Sequence, residues 1–262
     1  MIEMTPLDKA HAAMMAHPED DTQRLAFFER LADAEVFLLL TEEAGADSVT
    51  PRIIESDGAR YILIFDSEDR LSSFTGTASP FAGLSGRGLA DLMAGQGIGL
   101  ALNPEVAPSA ILIPAEAVDW LASTLAHAPT VTSARPVEVT PPGALPQSLL
   151  SALARKLDGT GDLAAAAWLA GVGYEDGSRG HLLAFVDALD DAQPALAVAA
   201  NEALTFSGIE AGAMDVTFVL SDTPMAERIA RVGQRIDLPR RAVPETGPAA
   251  PGMDPDRPPR LR

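Results

Sequence analysis

Four short apolar runs constrain the fold most: VFLLL (36–40), YILIF (61–65), IGLAL (98–102) and AILIP (110–114). Each has the length of a single strand and is bounded by polar residues, glycine or proline, with helical patterns between them. Such runs bury best as strands of one sheet covered by amphipathic helices. The first helical pattern is HPEDDTQRLAFFERLADAE, where Leu25, Phe28, Leu31 and Ala32 share a face and Asp21 or Thr22 serves as cap. Asp57-Gly58, between RIIES and ARYILIF, fits a two-residue hairpin turn. DSEDRLSSF opens a short helix with Ser67 at its N-cap. SGRGLADLMAG is a second short helix stopped by Gly95, and Pro114 opens a third, PAEAVDWLASTLAH. Residues 1–128 thus read αββ(β)αββα.

The second half has its own order. Prolines 129, 136, 141, 142 and 146 mark a linker over 129–146 that also holds a strand, RPVEV. A helix follows with Leu149, Leu150, Leu153 and Leu157 on one face, then strands around Trp168 and at HLLAFVDAL. The helix QPALAVAANEALTF, the strand MDVTFVL and the helix PMAERIARV complete it. This βαββαβ(α) order over 134–236 is that of a ferredoxin-like domain. Residues 239–262 hold seven prolines and few apolar side chains, so they are expected to be disordered. The expected class is α+β in two domains, an N-terminal mixed α/β sheet domain (1–128) and a C-terminal ferredoxin-like βαββαβ(α) domain.

Charge and composition exclude several functions. The 262 residues carry a formal charge of −18, which repels phosphate backbones and argues against nucleic acid as a partner. The charge is uneven: 33 acids face 11 bases up to residue 227, and 4 acids face 8 arginines beyond it, where a solubilising tail is the plainest reading. Without cysteine there is no disulfide, thiolate metal site or cysteine nucleophile. MIEMTPLDKA has neither the basic nor the apolar region of a signal peptide. LAAAAWLAGVG (163–173) is far shorter than the ~18 apolar residues of a membrane helix. A cytoplasmic protein with no membrane contact is expected. Two lysines against seventeen arginines, with abundant alanine and glycine, point to a GC-rich bacterial genome.

The motifs that invite an enzymatic reading do not hold up. In GQGIGLALNPE (95–105) three glycines alternate, but they follow a helix and enter a strand, the reverse of a dinucleotide fingerprint, and no lysine completes a P-loop. GLSGRG (83–88) suggests a nucleophile elbow at Ser85, yet Arg87 stands where glycine is required and TASPF is a poor strand, so Ser85 reads as an N-cap. His11, His17, His127 and His181 form no metal-binding spacing; His17 beside Glu19, Asp20 and Asp21 reads as acidic capping, and His181 as an edge-of-core residue. The acid pairs Glu42-Glu43, Glu68-Asp69, Glu175-Asp176 and Asp190-Asp191 lie at turns or helix starts rather than in one cleft. Trp120 and Trp168 read as core. No catalytic residue, metal or cofactor is expected. Asn103, leaving IGLAL before Pro104, reads as an Asx-type turn whose loss costs about 1 kcal/mol, with a place in a partner-binding surface as the alternative.

Several strings together resemble the SseB, or enhanced serine sensitivity, family. ILIFDSEDRL, GRGLADLM, GIGLALNPE and ILIPAEAVDWL resemble its N-terminal domain. LAAAAWLAGV, GHLLAFVDALDDAQPALAVAANEAL and MDVTFV resemble its C-terminal domain. The closing segment RIDLPRRAVP departs from the aromatic pair after a proline that members often carry. The resemblance supplies no catalytic residue. The function expected is a non-catalytic binding protein that engages another protein. The alternative is an amino-acid-binding sensor, with a serine hydrolase acting through Ser85 a distant third.

Overall fold

The computed structural model describes residues 4–44, 49–127, 136–208 and 214–240. The expected disorder of the tail from 241 and the part of the linker before 136 lie outside the described residues. The chain divides into two compact units, Met1–Arg135 with Ala144–Leu153 and Ala197–Met214, and Pro136–Gly143 with Ala154–Leu196 and Asp215–Arg262.

The first unit opens with two helices, α1 (Pro6–Ala16) and α2 (Asp21–Asp33), and continues β1 (Glu35–Leu39), β2 (Ile53–Ser56), β3 (Ala59–Phe65), α3 (Glu68–Thr75), β4 (Phe81–Ser85), α4 (Gly86–Met93), β5 (Gly99–Leu102), β6 (Ile111–Ile113) and α5 (Ala115–Leu125). Its sheet has the order β4-β1-β3-β5-β6, with β2 paired to the other half of β3. Only β3 and β5 run parallel among these pairs. The strands alternate as a sheet covered on both sides requires. Val36, Leu38, Ile62, Ile64, Leu100 and Leu102 face α1, α2, α4 and α5, while Leu39, Tyr61, Leu63, Phe65 and Ala101 face α3.

The Asp57-Gly58 turn has both residues at positive φ, 50° and 79°, as a type I′ hairpin demands. The glycines of GQGIGLALNPE do what their order implies. Gly95 and Gly97 turn the chain out of α4 at φ of 72° and 64°. Gly99 begins β5 where a Cβ would meet the Ile113 carbonyl at 2.4 Å.

Three differences from the sequence reading stand out. Helix α1 was not foreseen, although Thr5-Pro6-Leu7-Asp8 forms a full capping box with proline in the first turn. FAGLS, not read as a strand, forms the edge strand β4 from the last residue of TASPF onward, and its partner β1 supplies the pairing that its composition lacks. On α2 the cap is Asp20, and Phe27 rather than Phe28 is fully buried.

In the second unit β7 (Pro136–Thr140), α6 (Gln147–Lys156), β8 (Ala166–Tyr174), β9 (Arg179–Val186), α7 (Gln193–Phe206), β10 (Met214–Val219) and α8 (Pro224–Val232) follow the expected order, and a short β11 (Gln234–Ile236) is added. Parts of α6 and α7 count with the first unit. The class is α+β as expected, but the strand order, β10-β9-β8-β11 with β7 on the other half of β8, is not that of the expected ferredoxin-like domain. β7 pairs antiparallel with β8, where a split βαβ would insert a strand between them. Gly171 of β8 makes this approach possible, since a Cβ there would lie 2.4 Å from Thr140 Oγ1 and 2.9 Å from the Pro141 carbonyl.

Candidate functional site

Two features of the first unit concentrate its chemistry. One is a buried polar network at the carboxyl ends of the parallel strands β3 and β5; the other is an apolar groove beside the edge strand β6.

The network starts from Arg70 on α3, which is 2% exposed. Its guanidinium contacts the Asp66 carboxylate at 2.7 and 2.9 Å and donates to Asp8 on α1 through both terminal nitrogens, Nη1 at 3.1 Å. The Thr5 hydroxyl donates to Asp66 at 2.7 Å, and the Ser109 hydroxyl donates to Asp8 at 2.5 Å. Asn103 completes it: its Oδ1 accepts from the Asp66 amide at 3.1 Å and its Nδ2 donates to Ser109 Oγ at 3.0 Å. The carboxyl ends of parallel strands are where open α/β sheets take ligands. Here α1 closes that position, and Asp8, Asn103 and Ser109 are all 0% exposed.

This revises the reading of Asn103. Its amide makes no Asx-type turn. It reaches Asp66, 37 residues away, from a left-handed backbone with φ of 47°, a conformation that asparagine tolerates better than most residues. With no exposed surface it offers no atom to a partner. Asn103→Ala leaves the Asp66 amide and the Ser109 hydroxyl short of a partner and places alanine at positive φ. A loss of about 2–4 kcal/mol in urea unfolding is expected, above the ~1 kcal/mol of a local cap.

Burial pushes the Asp8 carboxyl up, but the Arg70 guanidinium, the Ser109 hydroxyl and the Thr5 amide outweigh burial and hold it at about 2. Because the folded value lies below the unfolded one, the contribution is complete above the ordinary carboxylate range and is lost as pH falls through about 2. It amounts to about 2 kcal/mol. Asp8→Asn should therefore flatten the fall in melting temperature between about pH 4 and pH 2; an unaltered acid profile would show that Asp8 does not carry it.

The groove has a volume of about 580 Å3. Met14 of α1 lines it, with Asp21, Arg24, Leu25, Phe27 and Phe28 of α2, all of β6, and Pro114, Ala117 and Trp120 at the start of and along α5. Trp120, read as core, is 38% exposed, and Leu112 is 41% exposed. The indole is held edge-on between Phe28, at a centroid distance of 5.3 Å, and Phe206, at 6.3 Å. A rigid, half-exposed tryptophan beside an exposed leucine is the composition of a binding hot spot. The polar members of the wall are Asp21 and Arg24, which pair with each other at 2.6 Å.

The remaining candidates take structural positions. Ser85 caps α4, its hydroxyl accepting from the Gly88 amide at 3.2 Å, and no histidine bonds it among the described residues. His11 is nearly buried against Phe27, and burial pushes its imidazole below the ordinary histidine range. His17 forms the C-cap of α1, and Asp20 accepts from the Thr22 amide at 2.9 Å. His181 Nε2 lies 2.9 Å from the Pro142 carbonyl, at the core edge as expected. Trp168 packs partly buried against Val172, Leu182 and Ile229. Among the described residues no cluster of three or more histidines or acids could hold a metal, and no helix is long and apolar enough to cross a membrane.

A family match over residues 7–120 decides what the first unit carries. These residues match the SseB protein N-terminal domain. No curated protein and no solved structure matches the chain. The match runs from the first turn of α1 to Trp120, so every residue lining the groove and five network residues, Asp8, Asp66, Arg70, Asn103 and Ser109, fall inside it. Sequence reasoning missed Asp8, Asp66 and Arg70 as a set, although Asp66 and Arg70 stand four apart at the start of a helix, where such pairs meet. It missed the groove because four separate elements build it.

Proposed function

We propose that this protein is a non-catalytic binding protein of the bacterial cytosol, in which the SseB N-terminal domain holds an apolar segment of another protein in the groove between α2, β6 and α5. The second half serves as the companion SseB C-terminal domain. The observation that carries this reading is the exposed Trp120–Leu112 wall, apolar surface set in an otherwise acidic molecule. An amino acid as ligand is supported less well. Its ammonium and carboxylate need buried partners, whereas Asp21 and Arg24 are 74% and 53% exposed and already joined.

The test is a photo-crosslinking side chain placed in cells at position 112, in the groove, and in a second strain at position 92, exposed on α4. The expected result is one stoichiometric protein adduct at 112 that is absent at 92. Equal labelling at both positions, or none at 112, would reject the groove as a protein-binding site.

A further inference from the structure

The occupant of the groove can be specified further, on the reading that the groove binds protein. We propose that it is an amphipathic helix whose apolar stripe is flanked by lysine or arginine.

The edge strand β6 is poorly suited to receive a strand. It has three residues, and Pro114, which follows it, has no amide to donate. The Ile113 carbonyl lies against Gly99 of β5. The alternation of a strand therefore turns the amide and carbonyl of Leu112 outward as the outward-facing pair of β6. An added strand would gain two backbone hydrogen bonds there, too few to select an extended peptide.

The helical walls have the pattern that a helix needs. Asp21, Arg24, Leu25 and Phe28 stand at i, i+3, i+4 and i+7 along α2, and the N-cap Pro114 is followed by Ala117 and Trp120 at successive steps of three along α5. Two such stripes form ridges that accept the ridges of a third helix, with β6 as the floor. Ala117 keeps the middle of the α5 wall low, between Pro114 and the large ring of Trp120.

Charge selects the flanks. Residues 1–127 carry 20 acidic and 7 basic side chains, a net −13. Glu19, Asp20 and Asp21 stand exposed at the start of α2, and Glu116 is exposed on α5 one turn before Trp120. A helix with acidic flanks would meet like charge on both walls, whereas one with basic flanks is steered in and held at its rim.

The experiment uses the full chain with Trp168→Phe, which leaves Trp120 as the single tryptophan and reporter. Three synthetic peptides of about 18 residues, long enough for helix, are titrated at about 0.15 M salt. One has leucine at helical spacing with lysine elsewhere, one has the same leucines with glutamate, and one alternates valine with lysine. The expected result is a shift of Trp120 fluorescence with the leucine–lysine peptide, a Kd at least about tenfold lower than for the other two, and a loss of about fivefold or more with Leu112→Ser. Equal or tighter binding by the valine–lysine peptide would overturn the helix. Equal binding by the glutamate peptide would overturn the basic flanks. Leucine–lysine binding untouched by Leu112→Ser would place it elsewhere on the acidic surface and overturn the proposal. If the peptides fail but the position-112 crosslinker captures a partner through an acidic or extended segment, this inference falls and the protein-binding reading stands. If neither experiment marks the groove, both fall.

Discussion

Arg70→Met is expected to destabilise the first unit by about 3–5 kcal/mol, measured by urea unfolding in the Trp168→Phe background with Trp120 fluorescence as the probe. The loss exceeds that of one hydrogen bond because of what the substitution leaves behind. Asp8 and Asp66 are both turned toward the same guanidinium, with 0% and 4% of their side chains exposed. Without the cation, two carboxylates share a dry site, and one must take up a proton or draw in water. The network ties α1, the end of β3, α3 and the loop after β5, so the loss should appear as earlier unfolding of the whole unit. Adding Asp8→Leu to Arg70→Met should recover part of it, because removing both charges costs less than stranding one. A loss below about 1 kcal/mol for Arg70→Met would mean that the network adds little.

Gly86→Ala is expected to cost about 3 kcal/mol or more, again read by unfolding. Gly86 begins α4, its amide donating to the Ala34 carbonyl at 2.8 Å. A Cβ on it would lie 1.8 Å from the Leu31 carbonyl oxygen and 3.3 Å from the Ala32 Cα. Those atoms are backbone at the end of α2 and cannot swing aside as a side-chain tip would. The chain must therefore part α2 from α4, opening the core around Leu31, Leu89 and Ala90. A variant of wild-type stability would show that the two helices separate at little cost.

What could be read from the sequence was local. Short apolar runs, the Asp57-Gly58 turn, Ser67 and Ser85 as caps, and glycines 95 to 99 each carry their signal within a few residues, and each stands where expected. What could not be read depends on distant partners. FAGLS is a strand because β1 pairs with it along five residues. Asn103 reads from the sequence as a local turn residue, whereas its side-chain partners lie at 66 and 109. Phe28 was assigned to the buried face of α2; the buried neighbour is Phe27, and Phe28 supports Trp120 in the groove wall. One helical turn cannot tell a core face from a groove face, since both are apolar. In the second unit the element order was legible and the pairing of β7 with β8 was not, because it turns on a close approach at Gly171.

The groove of the first unit is, in the function proposed, where this protein holds its partner. The most direct measurement is the affinity of the partner captured at position 112, purified and titrated against wild-type protein and Leu112→Ser. Leu112 is an exposed side chain at the sheet edge, so the substitution should leave the melting temperature close to wild type. A Kd raised about tenfold or more at unchanged stability is expected. An unchanged Kd, with the variant folded, would contradict the proposed function.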